Sequence, residues 1–171
     1  MRRTLAFITT GIFLLVAPGT LAGLIPWWIT GWRLPPFQPF YSVVQIAGGL
    51  LAAAALGVLV ESFARFAWKG LGTPAPVFPT QHLVVSGMYR FVRNPMYVAV
   101  TSATLGQALI FASLDLVIYA AMVWVGFHIF VVAYEEPTLR KTFGAEYETF
   151  CANVPRWIPR LTPWAGPVSY A

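Results

Sequence analysis

The sequence predicts an all-α, polytopic membrane helix bundle with about four transmembrane spans and a cytoplasmic amphipathic C-terminal helix. Two observations lead to this class. Hydrophobic residues make up 58% of the 171 residues and charged residues only 10%, whereas a soluble domain carries about 25% charged residues. The apolar residues are also concentrated in four stretches, and about 20 residues cross a bilayer as a helix. An ordinary soluble domain, a disordered chain and a nucleic-acid-binding arm are therefore excluded.

The first span is predicted at about residues 5–29, with a kink at Pro18 and Gly19. Because this stretch follows Arg2 and Arg3, a cleaved signal peptide is the alternative interpretation. The apolar run is longer than a typical signal core, which favours a transmembrane helix.

The other three spans are predicted at about residues 41–66, 97–112 and 116–134. In the second span Gly49, Ala53 and Gly57 recur every four residues, so one helix face is small enough for close helix contact. This face could pack on the first span or on a second copy of the chain. The sequence leaves a monomer and a homodimer equally open.

The topology follows from the basic residues. Ten of the eleven lysines and arginines fall on one side of the spans, and Arg33 falls on the other. Because basic residues collect in cytoplasmic loops, both termini and the polar segments between the spans are predicted to be cytoplasmic. The net charge of +5 is explained in this way, and no nucleic-acid partner is expected. The chain is divided into a two-span hairpin (1–68), a core (69–161) and a tail (162–171).

Two polar blocks carry the chemistry. The first polar block, residues 81–100, precedes and opens the third span, and the second polar block, residues 134–161, follows the fourth. They lie at opposite ends of one helical hairpin, so they meet at the same membrane face. In the second block, residues at helical spacing predict an amphipathic surface helix that ends at Pro155 and Pro159. Its apolar residues are Leu139, Phe143, Tyr147 and Phe150.

The charged residues of both blocks allow a structural and a functional interpretation. Glu135 and Glu136 could stabilise a helix start and pair with a nearby arginine. They could instead face a cationic ligand in a partly dry site, where Coulomb interactions exceed those in water. Likewise, Asn94 and Pro95 are suited to start a helix. The exposed N–H groups at that helix end, together with Arg93, could instead bind a carboxylate or phosphate.

No metal site is predicted, because His82 and His128 provide too few ligands. His128 is expected to be a hydrogen-bonded packing residue, and Glu61 is expected to pair with Arg65. The single cysteine, Cys151, excludes an internal disulfide. The polar residues of the third span, Gln107 and Thr104, are expected to bridge neighbouring helices.

Both blocks resemble segments of known membrane methyltransferases. The stretch HLVVSGMYRFVRNPMY is similar to the segment that opens the core of the isoprenylcysteine carboxyl methyltransferases and the phospholipid N-methyltransferases. The stretch EEPTLRKTFGAEYETFCANVPRWIP is similar to the C-terminal segment of the first group. The two stretches occur in this order around one tight membrane hairpin, which makes the resemblance specific over about residues 73–161.

The resemblance implies a methyltransferase that uses S-adenosylmethionine and binds it at the cytoplasmic face. The implied cofactor-binding residues are Leu83, Gly87, Tyr89, Arg93, Asn94, Pro95, Tyr97, Glu135, Glu136, Tyr147 and Arg156. Arg93 would bind the cofactor's carboxylate, and one of the two glutamates would bind its ammonium or ribose hydroxyls. Arg93 and Glu136 are the candidate catalytic residues, with Glu136 as the candidate base.

The methyl acceptor stays open. Asn94 occupies the place of a histidine that is common in the family, and the stretch NPMY is closer to the phospholipid enzymes. The second block is closer to the carboxyl methyltransferases. We therefore expect a small lipophilic or lipid acceptor with a carboxylate, an amine or a thiol. The alternatives are an NADPH-dependent, sterol-reductase-like membrane reductase and a non-enzymatic scaffold or transporter subunit. The chain shows neither the internal repeat nor the mid-membrane charges typical of a transporter.

Overall fold

The computed structural model describes residues 3–36, 39–69 and 83–166. Within these ranges all regular structure is helical, as predicted. The α-helices are α1 (Arg3–Gly19), α2 (Ile25–Thr30), α3 (Pro39–Lys69), α4 (Pro95–Phe111), α5 (Leu114–Phe130), α6 (Glu136–Phe143) and α7 (Ala145–Asn153). A π-helical turn at Thr20–Leu24 joins α1 to α2, and a second one at Val131–Glu135 joins α5 to α6. A short 3-10 helix occupies Gly87–Arg90.

The predicted membrane bundle is confirmed. Three continuous helices are long and apolar enough to cross a membrane: Gly11–Thr30, Tyr41–Arg65 and Leu114–Phe143. The fourth, α4, has only 17 residues, about 25 Å at 1.5 Å per residue. The start of α3 and the end of α4 are level, because the Tyr41 hydroxyl donates to the Leu109 carbonyl. A hydrocarbon layer is roughly 30 Å thick, so α4 is somewhat shorter than a helix that crosses the layer upright.

The first span is irregular where expected. Pro18 lies inside α1, and the π-helical turn starts two residues later at Thr20. The carbonyl of Ala22 in this turn accepts from the Gln107 side chain at 2.7 Å. Gln107 therefore bridges two helices, as predicted. Thr104 does not, since its hydroxyl donates at 3.0 Å to Val100 of its own helix.

The helices α3 and α4 approach each other closely at two glycines. A Cβ atom added to Gly48 would lie 2.6 Å from the carbonyl oxygen of Gly106, and one added to Gly106 would lie 2.7 Å from that of Gly48. The predicted small face is rotated by one residue from this contact, because a Cβ added to Gly49 or Gly57 meets nothing within 4 Å. Of the two alternatives for this face, packing at Gly49 and Gly57 on the first span is not seen in the described residues, and contact with a second copy of the chain stays a prediction.

The predicted amphipathic helix is divided in two. Gly144 adopts φ +50° and separates α6 from α7, a conformation that glycine tolerates better than other residues. The predicted apolar face is still formed, by Leu139, Phe143, Tyr147 and Phe150. They pack against Leu83, Val85 and Val154, which joins the first polar block to the second.

An extended segment, residues 154–164, follows α7, and we call it the C-terminal strap. It lies along the first polar block through three backbone hydrogen bonds of 2.9 Å. They run from the N–H of Arg93 to Pro155, from that of Arg160 to Phe91 and from that of Trp164 to Arg90. The strap thereby ties the end of the described chain to the turn that starts α4.

Candidate active site

A cavity of about 350 Å³ lies between the helical bundle and the two polar blocks. Its polar end is formed by Arg93, Asn94, Glu135 and Glu136, and its other end is apolar. The apolar lining comes from four separate helices and includes Phe13, Ala17, Leu21, Phe63, Met96, Val100, Phe127 and Phe130. The site is therefore amphiphilic, with charges at one end and hydrocarbon at the other.

Glu136 is the centre of the polar end. Its side chain is 4% exposed, and both oxygens accept from Arg156, at 2.6 and 3.0 Å. Arg93 approaches it at 3.2 Å and Arg140 at 3.5 Å. Three guanidinium groups stabilise the ionised form of one buried carboxylate. This arrangement makes Glu136 a poor proton acceptor and a strong anchor for the arginines.

Arg93 has spare hydrogen-bonding capacity. Its side chain is 10% exposed, and its Nη1 atom donates to the sulfur of Cys151 at 2.6 Å. Its Nε atom is buried, and nothing in the described part of the chain accepts a hydrogen bond from it. A buried guanidinium donor left unsatisfied is costly. Arg93 also lines the cavity, so its guanidinium places a positive charge where an anionic ligand group would lie.

Glu135 has a different hydrogen-bond partner from Glu136. Its Oε2 atom accepts from the Tyr97 hydroxyl at 2.8 Å, and the ring of Tyr97 lies 4.6 Å from that of Phe127. The buried Tyr89 lies in the same electrostatic environment, since burial and then the charge of Glu135 raise the pKa of its hydroxyl. A carboxylate beside two neutral tyrosines can accept hydrogen bonds from ligand ammonium or hydroxyl groups.

The pKa values of titratable residues outside the spans are shifted by the same charged cluster. Burial, and then the neighbouring Cys151 and Glu136, raise the pKa of Tyr147. The hydrogen bond to Glu136 raises the pKa of Arg156. Arg140 also lies 6.0 Å over the Tyr147 ring. Near neutral pH, therefore, this part of the site contains neutral phenols and permanent cations.

The structure brings most of the predicted residues to the cavity wall. These are Leu83, Tyr89, Arg93, Asn94, Tyr97, Glu135, Glu136 and Tyr147. Gly87, Pro95 and Arg156 are not in the wall. Gly87, at φ +57°, packs against the predicted ion pair of Glu61 and Arg65, which is present. Arg156 lies behind Glu136 and orients its carboxylate.

Asn94 occupies the predicted position but has a different role. It is the residue before α4, and Pro95 begins the helix, as expected. The Asn94 side chain makes no capping hydrogen bond. Its Nδ2 atom donates to the backbone carbonyl of Arg156 at 3.1 Å. Asn94 thus attaches the C-terminal strap to the start of α4.

Reasoning from sequence missed the apolar half of the cavity and the role of Cys151. Phe13 and Phe63 resemble other apolar residues of the spans, and no local pattern distinguishes a cavity wall from a lipid-facing surface. Cys151 is a member of a helical repeat, and only the fold places its sulfur beside Arg93.

The remaining polar predictions concern packing. His128 is hydrogen-bonded, as expected, since its Nδ1 atom accepts from the Trp157 indole at 3.1 Å, and its ring stacks on Trp124 at 5.4 Å. His82 lies outside the described residues. In the ranges that the structure describes, no three His, Cys, Asp or Glu side chains are grouped as metal ligands.

Comparison with known proteins identifies the family. A model of the phospholipid methyltransferase family matches residues 43–146, which is more than half of the chain. No curated protein matches the sequence. The match includes most of α3 and all of α4, α5 and α6, but ends before Arg156 and the strap. On this match, together with a helical membrane bundle that holds a charged site at one face, the chain belongs to the phospholipid methyltransferase family of integral membrane methyltransferases.

Proposed function

We propose that the protein transfers a methyl group from S-adenosylmethionine to a lipophilic acceptor at the cytoplasmic membrane face. The observation that carries this proposal is the Arg93 side chain, 10% exposed, at the polar end of an amphiphilic cavity. Family membership supports the reaction type. The distribution of basic residues supports the cytoplasmic orientation.

The residues at the polar end fit the methyl donor. Arg93 would bind its carboxylate through the part of its guanidinium that lines the cavity. Glu135 would accept from its ammonium or ribose hydroxyls, with Tyr97 fixing that carboxylate at 2.8 Å. When bound, the donor supplies an electrophilic methyl group on a sulfonium, and nearby tyrosine faces favour such a cation by about 0.5–2 kcal/mol.

Glu136 is assigned a positioning role. Because three arginines surround it, it keeps Arg93 and Arg156 in place and does not act as the base that the sequence suggested. A carboxylate or thiolate acceptor needs no base. For an amine, Glu135 is the better-placed proton acceptor, because only one of its oxygens has a hydrogen bond among the described residues.

The apolar end fits the tail of the acceptor. Val100 is five residues into α4, so the cavity extends about 8 Å along that helix. Phe130 and Tyr134 line the cavity and are also 36% and 48% exposed on the bundle surface. We infer that the cavity opens beside these two residues toward the lipid. The acceptor would enter there from the bilayer, and its reacting group would reach the donor from the apolar end of the cavity.

Titration calorimetry of S-adenosylhomocysteine into the purified protein in lipid nanodiscs tests the proposal, with NADPH as the comparison ligand. We expect one binding site for S-adenosylhomocysteine and none for NADPH. Binding of NADPH alone would support the reductase alternative, and binding of neither to folded protein would contradict the proposal. A methyl-labelled donor and a panel of lipophilic carboxylates, amines and thiols would then identify the acceptor.

A further inference from the structure

The C-terminal strap exposes large apolar side chains. Leu161 is 100% exposed and Ile158 is 78% exposed. In water, two such neighbours would be an unexplained apolar patch. Their environment depends on where the strap lies relative to the membrane.

The position of Trp157 indicates how deep in the membrane the strap lies. Its indole donates to His128 at 3.1 Å, and its ring lies 6.0 Å from that of Trp124. Both partners belong to α5, which starts at Leu114 on the opposite membrane face. His128 is fourteen residues along this helix, about 21 Å at 1.5 Å per residue. Since the hydrocarbon layer is roughly 30 Å thick, Trp157 reaches into the layer from the face that carries the site.

More than half of the backbone positions of the strap have no free N–H group. A non-helical segment at this depth must satisfy its N–H groups within the protein. Pro155, Pro159 and Pro163 have no N–H group. The N–H groups of Val154, Arg160 and Trp164 all donate to backbone carbonyls. Together these account for six of the eleven residues of the strap.

The strap also continues a lipid-facing surface. On α5, Val125 and Ile129 are 47% and 60% exposed, and they lie on the same helix as the partners of Trp157. No acidic residue follows Glu148, and Arg160 lies between the two exposed apolar residues of the strap. This pattern suits a boundary between acyl chains and anionic phosphates.

We propose that the C-terminal strap lies within the bilayer leaflet next to the active site, with Ile158 and Leu161 among the acyl chains and Arg160 at the phosphates. The partner is the anionic lipid surface itself. The strap carries Arg156, so membrane contact would hold the arginine that orients Glu136. The location of the strap does not depend on the identity of the methyl donor.

A fluorescent label on the strap tests this location in nanodiscs that contain anionic lipid, by comparison with labels at two control positions. Leu161→Cys is made in a Cys151→Ala background and labelled with a polarity-sensitive fluorophore. Ile129→Cys is the matched lipid-facing control, and Glu148→Cys, whose side chain is 58% exposed on α7, is the matched aqueous control. Spin-labelled lipid and aqueous iodide serve as quenchers.

We expect the label at 161 to follow the control at 129, with strong quenching by spin-labelled lipid and protection from iodide. A label at 161 that follows the control at 148 would overturn the proposal. A second measurement uses the chain with its natural cysteine: Leu161→Asp should weaken S-adenosylhomocysteine binding several-fold in nanodiscs, and Leu161→Ile should not. Because the label measures depth without any ligand, failure of the methyl-donor assignment would leave its result intact.

Discussion

The guanidinium of Arg156 binds both oxygens of the Glu136 carboxylate, with Nε to Oε1 at 2.6 Å and Nη2 to Oε2 at 3.0 Å. The two residues lie 20 positions apart, so this pair closes the C-terminal strap onto the start of α6. Arg93 and Arg140 approach the same carboxylate. Three arginines thus meet Glu136, and Arg140 also pairs with Glu148, so one positive charge remains in surplus and a bound anion would balance it.

Glu136→Gln is expected to destabilise the protein and to abolish binding of S-adenosylhomocysteine. Removing one partner of a buried ion pair costs about 3–5 kcal/mol, because the other charge stays buried without compensation. Thermal unfolding in nanodiscs measures the loss. Glu148→Gln is the control, since Glu148 pairs with Arg140 at an exposed position where a pair contributes about 0–1 kcal/mol. Equal shifts in the two variants would contradict the central role of Glu136.

Arg93→Lys tests the guanidinium of Arg93 as the group that binds the ligand. Lysine keeps a positive charge near Glu136 but has no equivalent of Nε and no planar fork. A hydrogen bond to a charged group contributes about 1.5–3 kcal/mol, so we expect S-adenosylhomocysteine affinity to fall about 10- to 150-fold. Arg140→Lys should change the affinity little, because its side chain is 43% exposed. If calorimetry gives the same affinity for Arg93→Lys and the unmodified protein, Arg93 does not bind the ligand.

Gly48→Ala is expected to destabilise the contact between α3 and α4. The added methyl group would lie 2.6 Å from a backbone oxygen of Gly106 and 2.8 Å from Cβ of Leu109. Such overpacking costs about 1–3 kcal/mol. Gly49→Ala is a neighbouring control, since nothing lies within 4 Å of its added Cβ, and alanine favours a helix by up to about 1 kcal/mol. The midpoint of thermal unfolding should therefore fall for Gly48→Ala only. A lower midpoint for Gly49→Ala would instead indicate a contact with a second copy of the chain.

Alkaline pH is expected to destabilise the fold through Tyr147. Burial raises its pKa above the ordinary value of 10.0, so the unfolded chain releases this proton at a lower pH than the folded chain does. The stabilisation is complete below the ordinary pKa and is lost as pH rises through the folded pKa. Tyr147→Phe should flatten the fall in stability above about pH 10, measured by denaturant unfolding at several pH values. An unchanged slope would mean that Tyr147 titrates alike in both states.

The sequence predicted the parts of the fold that depend on local pattern. Apolar length identifies the helices, and the residues Arg93 to Tyr97 and Glu135–Glu136 are brought together because they end the same hairpin. The partner of each residue depends on three-dimensional register. Gly48 rather than Gly49 makes the close contact, because a helix turns by about 100° per residue. Glu136 rather than Glu135 binds the arginines for the same reason. The cavity wall at Phe13 and Phe63 comes from distant helices and has no local signature.

Asn94 illustrates a role that only the fold reveals, and it provides the last prediction. Its Nδ2 atom donates to the Arg156 carbonyl at 3.1 Å, so it fixes the strap at the residue that orients Glu136. A neutral hydrogen bond contributes about 0.5–1.5 kcal/mol, so Asn94→Ala should weaken S-adenosylhomocysteine binding about 2- to 12-fold. It should also increase hydrogen exchange in residues 154–164. Asn94→His offers a ring N–H as an alternative donor, so its affinity and exchange should lie closer to those of the unmodified protein. Faster exchange in the strap without weaker binding would show that the strap does not influence ligand binding. No change in either quantity would show that Asn94 does not position Arg156.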